Sequence, residues 1–151
     1  NKTYTYHRDS FANRPARPAP ASVDINTADT TALIALPGIG SRLAARIVNF
    51  RDKLGGFYSI NQVAETYALP DSTFQKIRSR LVLSSGPFRR ININTASVDE
   101  LKAHPYIKWN LANAIVQYRS QHGPYRDLHD LRSIALVEEQ WLEKVLPYFT
   151  L

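Results

Sequence analysis

Cysteine and methionine are both absent from the 151 residues. Without cysteine there is no disulfide, no thiolate metal site and no thiol nucleophile, while the cellular compartment stays open. No run of 18 apolar residues occurs, so no membrane-spanning helix is expected from this stretch. His104, His122 and His129 lack the spacing of a metal set, and no H-E-x-x-H pattern occurs. They are expected to be surface or capping residues. No glycine-rich loop with a following lysine is present to cradle a nucleotide. Enzymatic chemistry is therefore not expected, and no metal ligand set is found. The chain opens on Asn1, which predicts a fragment or processed form preceded by a signal or anchor.

Glycine is scarce too, at six residues, so its clustering carries information. Gly38 and Gly40 fall in LPGIGSRLAARI, residues 36–47. This stretch reads as the end of one helix, a tight hairpin and the start of a second helix. Glycine accepts positive φ and lets another molecule approach the main chain closely. A helix beginning at Ser41 leaves its first N–H groups without intrahelical partners. Such amides, at the positive end of the helix dipole, form an anion site suited to phosphate. Arg42 and Arg46 lie four apart on one helix face and add charge beside it. A plain structural corner is the competing interpretation, since Gly-x-Gly also joins helices without a ligand. Pro37 before the glycines, Ile39 between them, and Ala44 and Ala45 at the helix crossing favour the phosphate grip.

The excess of positive charge is uneven. Residues 1–22 carry four bases against one acid, residues 23–86 seven against five, and residues 87–151 eight against seven. Half of the net +6 therefore sits in the first 22 residues. Their ending, NRPARPAPAS, predicts an extended Pro/Arg-rich spacer. The two remaining segments are near neutral, so nucleic-acid contact must come from local geometry.

From Asp24 onward the sequence repeats itself. A shift of 68 positions pairs Asn26-Thr27-Ala28 with Asn94-Thr95-Ala96, Pro37 with Pro105, and Ile39 with Ile107. It continues through Leu43-Ala44 with Leu111-Ala112, Arg51 with Arg119 and Gly55 with Gly123, without a gap. The chain is a tandem duplication with units at residues 23–86 and 87–151. Each unit reads as four helices, and no stretch alternates well enough to argue a sheet. Asn26 or Thr27 is expected to cap the first helix and Ser59 the third, with Asn94 or Thr95 and Asp127 as their copies. The joint SSGPF, residues 84–88, is short enough to predict docked units.

Pro-Gly-Ile-Gly followed by Ala and Ile resembles the helix-hairpin-helix DNA-binding motif. With VDINTADTTALIAL before it and GGFYSINQVAE after it, the first unit resembles the ComEA-type competence DNA-receptor repeat. The resemblance implies an all-α fold, a tandem pair of four-helix paired helix-hairpin-helix (SAM-like) units behind an extended N-terminal tail. It implies double-stranded DNA as partner, gripped without sequence preference by the backbone of Gly38, Ile39, Gly40 and Ser41. Pro37 would shape the turn, and Arg42 and Arg46 would assist. It also implies a monovalent cation at the hairpin carbonyls of residues 36–39, and a role in DNA uptake at a bacterial cell surface or periplasm. The other three hairpins depart from the pattern. YALPD, residues 67–71, has no glycine; PYIKW, residues 105–109, has Tyr106 and Lys108 in place of the two glycines. The fourth, near residues 135–138, ends in acids. Lys108 could still meet a phosphate, and Tyr106 or Trp109 could stack on a base. The alternative is a protein–protein scaffold that kept the fold and lost DNA, with an exposed patch at Tyr106, Trp109 and Tyr125. A mixed case has unit two on a protein partner while unit one holds DNA.

Overall fold

A computed structural model describes residues 22–151. The spacer expected over residues 1–22 therefore lies, but for Ser22, outside the described residues.

Unit one runs β1 (Val23–Asp24), α1 (Thr30–Ile34), α2 (Ser41–Leu54), a 3-10 segment (Ile60–Glu65), α3 (Asp71–Ile77), a 3-10 turn (Arg78–Arg80) and β2 (Leu81–Val82). Unit two runs β3 (Ile91–Asn92), α4 (Val98–Lys102), α5 (Trp109–His122), a 3-10 segment (Leu128–Ser133), α6 (Glu139–Val145), a 3-10 turn (Leu146–Tyr148) and β4 (Phe149–Thr150). Every element of unit two starts 68 residues after its counterpart and has the same length. The repeat read from the sequence is thus a repeat of backbone, residue by residue.

Two short parallel ladders correct the sheet-free expectation. β1 pairs with β2 and β3 with β4, two residues each, tying the two ends of each unit together. Two residues are too few for period-2 alternation to show in a sequence.

The caps also shift. Asp29 accepts from Ala32 N at 2.8 Å at the start of α1, and Ser97 accepts from Glu100 N at 3.1 Å in the copy. Asn26 and Asn94, expected as caps, instead clamp the loop after the long helix. Asn26 accepts from Phe57 N at 2.8 Å and donates to Phe57 O at 2.9 Å; Asn94 does the same with Tyr125 at 2.7 and 3.0 Å. Arg51 and Arg119 anchor the long helices by donating to the carbonyls of Ile25 and Ala28, and of Ile93 and Ala96. The polar identities of the repeat are therefore internal clamps. Ser59 and Asp127 form capping boxes with Gln62 and Asp130, as expected, although the third helix of each unit is a 3-10 segment.

Each unit has its own apolar core. Leu33, Ala44, Ile47, Phe74 and Ile77 meet in the first, and Leu101, Ala112, Ile115, Leu142 and Val145 in the second. Ile47 and Ile115 are fully buried on the inner stripe of the long helices. Truncating either to alanine would cost about 2–5 kcal/mol.

The units are docked. Gly55, at φ +90, ends α2 in the left-handed conformation, and a Cβ there would stand 2.7 Å from Arg89 O. That glycine lets the joint fold back, with Phe88 N and Arg89 N both donating to Gly55 O at 3.0 Å. Tyr148 of unit two belongs to the core of unit one, and Tyr106 packs against both cores.

Candidate nucleic-acid interface

The elbow between α1 and α2 is an exposed main-chain turn. Gly38 sits at φ +81, and both Gly38 and Gly40 are exposed. Gly40 precedes α2 with φ −91 and ψ −177 and makes no side-chain cap. A Cβ at Gly40 would meet nothing within 4 Å, whereas one at Gly38 would stand 3.0 Å from Thr73 Cγ2. Gly38 is thus demanded by backbone shape, and Gly40 leaves open space for an approaching group. Ala44 N donates to Gly40 O at 2.9 Å, closing the first helical turn. Among the described residues no main-chain acceptor takes the Gly38, Gly40 or Ser41 N–H. Ile39 differs from the other three expected contacts: its N–H donates to Leu36 O at 3.2 Å and its side chain is buried. Ile39 holds the elbow and does not reach outward. Pro37 is exposed at the turn.

Arg42 and Arg46 follow on the same face of α2, which continues through Asn49 and Lys53. Arg42, Asn49 and Lys53 are exposed. The Arg46 guanidinium lies 5.2 Å from the centroid of the Tyr67 ring. Tyr67 is 80% exposed at the tip of the second hairpin of unit one. Sequence reasoning passed over Tyr67 because that hairpin lacks glycine. Yet its Ala68 takes φ 61, in the left-handed region of Gly38, and Leu69 N donates to Thr66 O at 3.1 Å as Ile39 N does to Leu36 O. The second elbow has the shape of the first, but Pro70 replaces Gly40 and removes an N–H, and Asp71 stands where Ser41 does.

Two helices joined by a short elbow, twice in each unit and again 68 residues on, define the architecture. The family model for the helix-hairpin-helix motif matches residues 20–82 and again 86–150. The chain belongs to the helix-hairpin-helix family. "Endonuclease/exonuclease/phosphatase family domain-containing protein 1" of Danio rerio is 28% identical over 141 residues, covering 82% of this chain and 26% of the relative. The Homo sapiens protein of that name is 24% identical over 152 residues, covering 82% of this chain and 27% of the relative. The chain therefore spans about a quarter of the length of these relatives. "ComE operon protein 1" of Bacillus subtilis (strain 168) is 31% identical over 55 residues, 36% of this chain and 27% of that protein. No solved structure matches.

The first elbow of unit two is turned into the joint at Tyr106 and Ile107. Lys108 takes φ −79 and ψ 161, close to Gly40, so a side chain fits there without strain. Tyr106 N, at the position of Gly38, donates to His104 Nδ1 at 3.1 Å, and Ile107 N donates to His104 O at 3.0 Å. Tyr106, expected as a stacking candidate, is half-buried and engaged at its hydroxyl. Its hydroxyl accepts from Gln62 Nε2 at 3.0 Å and donates to Glu65 Oε2 at 2.7 Å, across to unit one. Lys144 reaches the same carboxylate at 2.7 Å and lies 4.5 Å from the Tyr106 ring centroid. Gln62 Nε2 also donates to Tyr148 Oη at 2.9 Å, and Tyr148 Oη donates to Gly56 O at 2.6 Å. Gln62 Oε1 accepts from Tyr58 N and Ser59 N, so this buried amide is satisfied at both ends.

His104 is the other correction. Expected as a surface or capping residue, it is 4% exposed between the units, with Nε2 2.9 Å from Leu54 O. Leu54 O accepts from Nε2–H, and Nδ1 accepts from Tyr106 N, so the ring is neutral. Burial lowers its pKa to about 4, with the Arg89 charge lowering it further against the raising effect of the Leu54 bond. The exposed aromatic patch required by the scaffold alternative does not form as expected. Tyr125 is buried with its hydroxyl donating to Ile115 O at 2.7 Å, and Tyr106 is engaged between units. Trp109 is 62% exposed and Lys108 is exposed beside it. The fourth elbow leads into Glu138 and Glu139, the latter paired with Arg132 at 2.7 and 3.0 Å.

The carbonyls of residues 36–39 are hard donors of the kind a monovalent cation takes. Leu36 O, one of these carbonyls, already accepts from Ile39 N and keeps a second lone pair. Among the described residues no group of three or more His, Cys, Asp or Glu could hold a metal.

Proposed function

We propose that this chain is a binding module, without catalysis of its own, that holds double-stranded DNA by its phosphate backbone. The observation that carries the reading is the exposed Gly38–Gly40 elbow, with the Gly38, Gly40 and Ser41 amides free at the start of a 14-residue helix. Amides at a helix N-terminus suit a phosphate oxygen, and Arg42 and Arg46 add charge beside it. The helix dipole contributes in the same sense. None of these groups is disposed to read a base edge, so binding is largely independent of sequence. Family membership and the partial likeness to ComE operon protein 1 support the reading. Two settings use the same chemistry. One is DNA uptake of the competence type; the other is a DNA-holding part of a longer chain, as the extent of the longer relatives suggests.

Duplex affinity measured against salt for the wild type and a Gly38→Glu, Gly40→Glu variant tests the proposal. The elbow's share is about three phosphates, a log–log slope of about −3. Two carboxylates there should remove most binding at moderate salt. Equal affinity of the two proteins would discard the elbow as the site.

A further inference from the structure

The furrow between the two units continues the basic face of α2. Arg46, Lys53 and Lys102 line one stretch of it, and Lys53, Arg89 and Arg90 line the next, the two stretches sharing Asn49, Lys53, Ala103 and His104. The carboxylates among these lining residues are Asp52 and Glu100. Each stretch encloses a cavity of about 500–600 Å³. Resting on the DNA reading above, we infer that this furrow is a second phosphate track, which carries one DNA strand from the elbow across the joint onto unit two.

Three features converge on a polyanion. Arg42, Arg46, Asn49 and Lys53 fall at i, i+4, i+7 and i+11, one straight stripe starting at the elbow. The stripe is about 16 Å long at 1.5 Å per residue, long enough to meet more than one phosphate of a strand. Arg89 donates to the carbonyls of Asp52 and Lys53, neutralising the negative end of α2 where a phosphate would otherwise be repelled. Unit two then adds Lys102, whose partner Asp99 at 3.2 Å is an exposed i,i+3 contact of little strength. The charged residues lining the furrow are five bases (Arg46, Lys53, Arg89, Arg90, Lys102) against two acids, which fits a repeating phosphate chain. It also gives unit two a role on DNA although its own elbow has no glycine.

The elbow and the furrow together neutralise about six phosphates, for a salt slope near −5. The test uses the full chain, a 20-base-pair duplex and a Lys53→Gln, Arg90→Gln, Lys102→Gln variant, with unfolding midpoints recorded to confirm intact folding. All three side chains are exposed. The expected result is a slope shallower by about 2–3 and at least tenfold weaker binding at low salt. Lys53→Arg with Lys102→Arg should restore the wild-type slope. If the glutamine variant keeps the wild-type slope and affinity while Gly38→Glu, Gly40→Glu loses binding, the furrow is not a track and the elbow stands. If neither variant alters binding, both the furrow and the elbow are overturned.

Discussion

Residues 36–40 and 104–108 occupy the same place in the two units and have opposite fates. In unit one the elbow carries glycines, the Gly38 and Gly40 amides have no main-chain acceptor, and the space at Gly40 is open. In unit two His104 replaces Leu36, takes the Tyr106 amide on Nδ1, and donates from Nε2 to Leu54 of the other unit. The same backbone turn serves once as an exposed elbow, proposed above to take a phosphate, and once as a docking knob. The difference teaches that a degenerate hairpin is not merely a lost site. Its replacements, His104 and Tyr106, are the residues that hold the units together.

The sharpest way to break this comparison is to give unit two the glycines of unit one. Tyr106→Gly with Lys108→Gly should cost about 3–4 kcal/mol of stability, because a large aromatic leaves a packed joint and Gln62 loses a partner. It should bring no gain in duplex affinity, since His104 still occupies the amide at position 106. Urea unfolding and duplex titration of the one variant check both statements.

Acid should act on the same joint. The folded pKa of His104, about 4, lies below the ordinary value near 6.5. Its contribution is complete above pH 6.5, is lost as pH falls from 6.5 to about 4, and is flat below. The loss is about 3 kcal/mol at most. Unfolding free energy of the wild type and of His104→Gln across pH 4–7 measures it, and the substituted protein should lack this slope.

A smaller effect compares the two elbows of unit one. Gly38→Ala should cost about 1–2 kcal/mol through left-handed strain and the approach to Thr73. Ala68→Gly, at φ 61, should be neutral or stabilise by up to about 1 kcal/mol, read by thermal unfolding. The smallest effects are at the caps. Asp29→Ala and Ser97→Ala should each cost about 1 kcal/mol, and unequal costs would show that the two units are not energetically matched.

Much of the fold was legible because the apolar stripes and the glycine stops recur at one spacing. The long helices, the capping residues Ser59 and Asp127 and the elbow at Gly38 follow from local chemistry. The joint was hidden because it depends on partners distant in sequence. Gln62 and Asp130 are equivalent in the repeat, and both accept from the two amides that precede their segments. Only Gln62 also carries an NH2 group, and its reach to Tyr106 and Tyr148 over 44 and 86 residues has no local signature. The exposure of Tyr106 was misjudged for the same reason. Tyr67 was missed because Ala68 adopts a glycine-like backbone that composition does not advertise.

The most direct test follows main-chain amides by 15N–1H correlation spectra while a short duplex is added. The account predicts that the Gly38, Gly40 and Ser41 signals shift first and saturably, while the Ile39, Tyr106 and Ile107 amides, already bonded within the protein, move little. Shifts centred on Tyr106 and Trp109, with Gly38 and Gly40 unmoved, would contradict it.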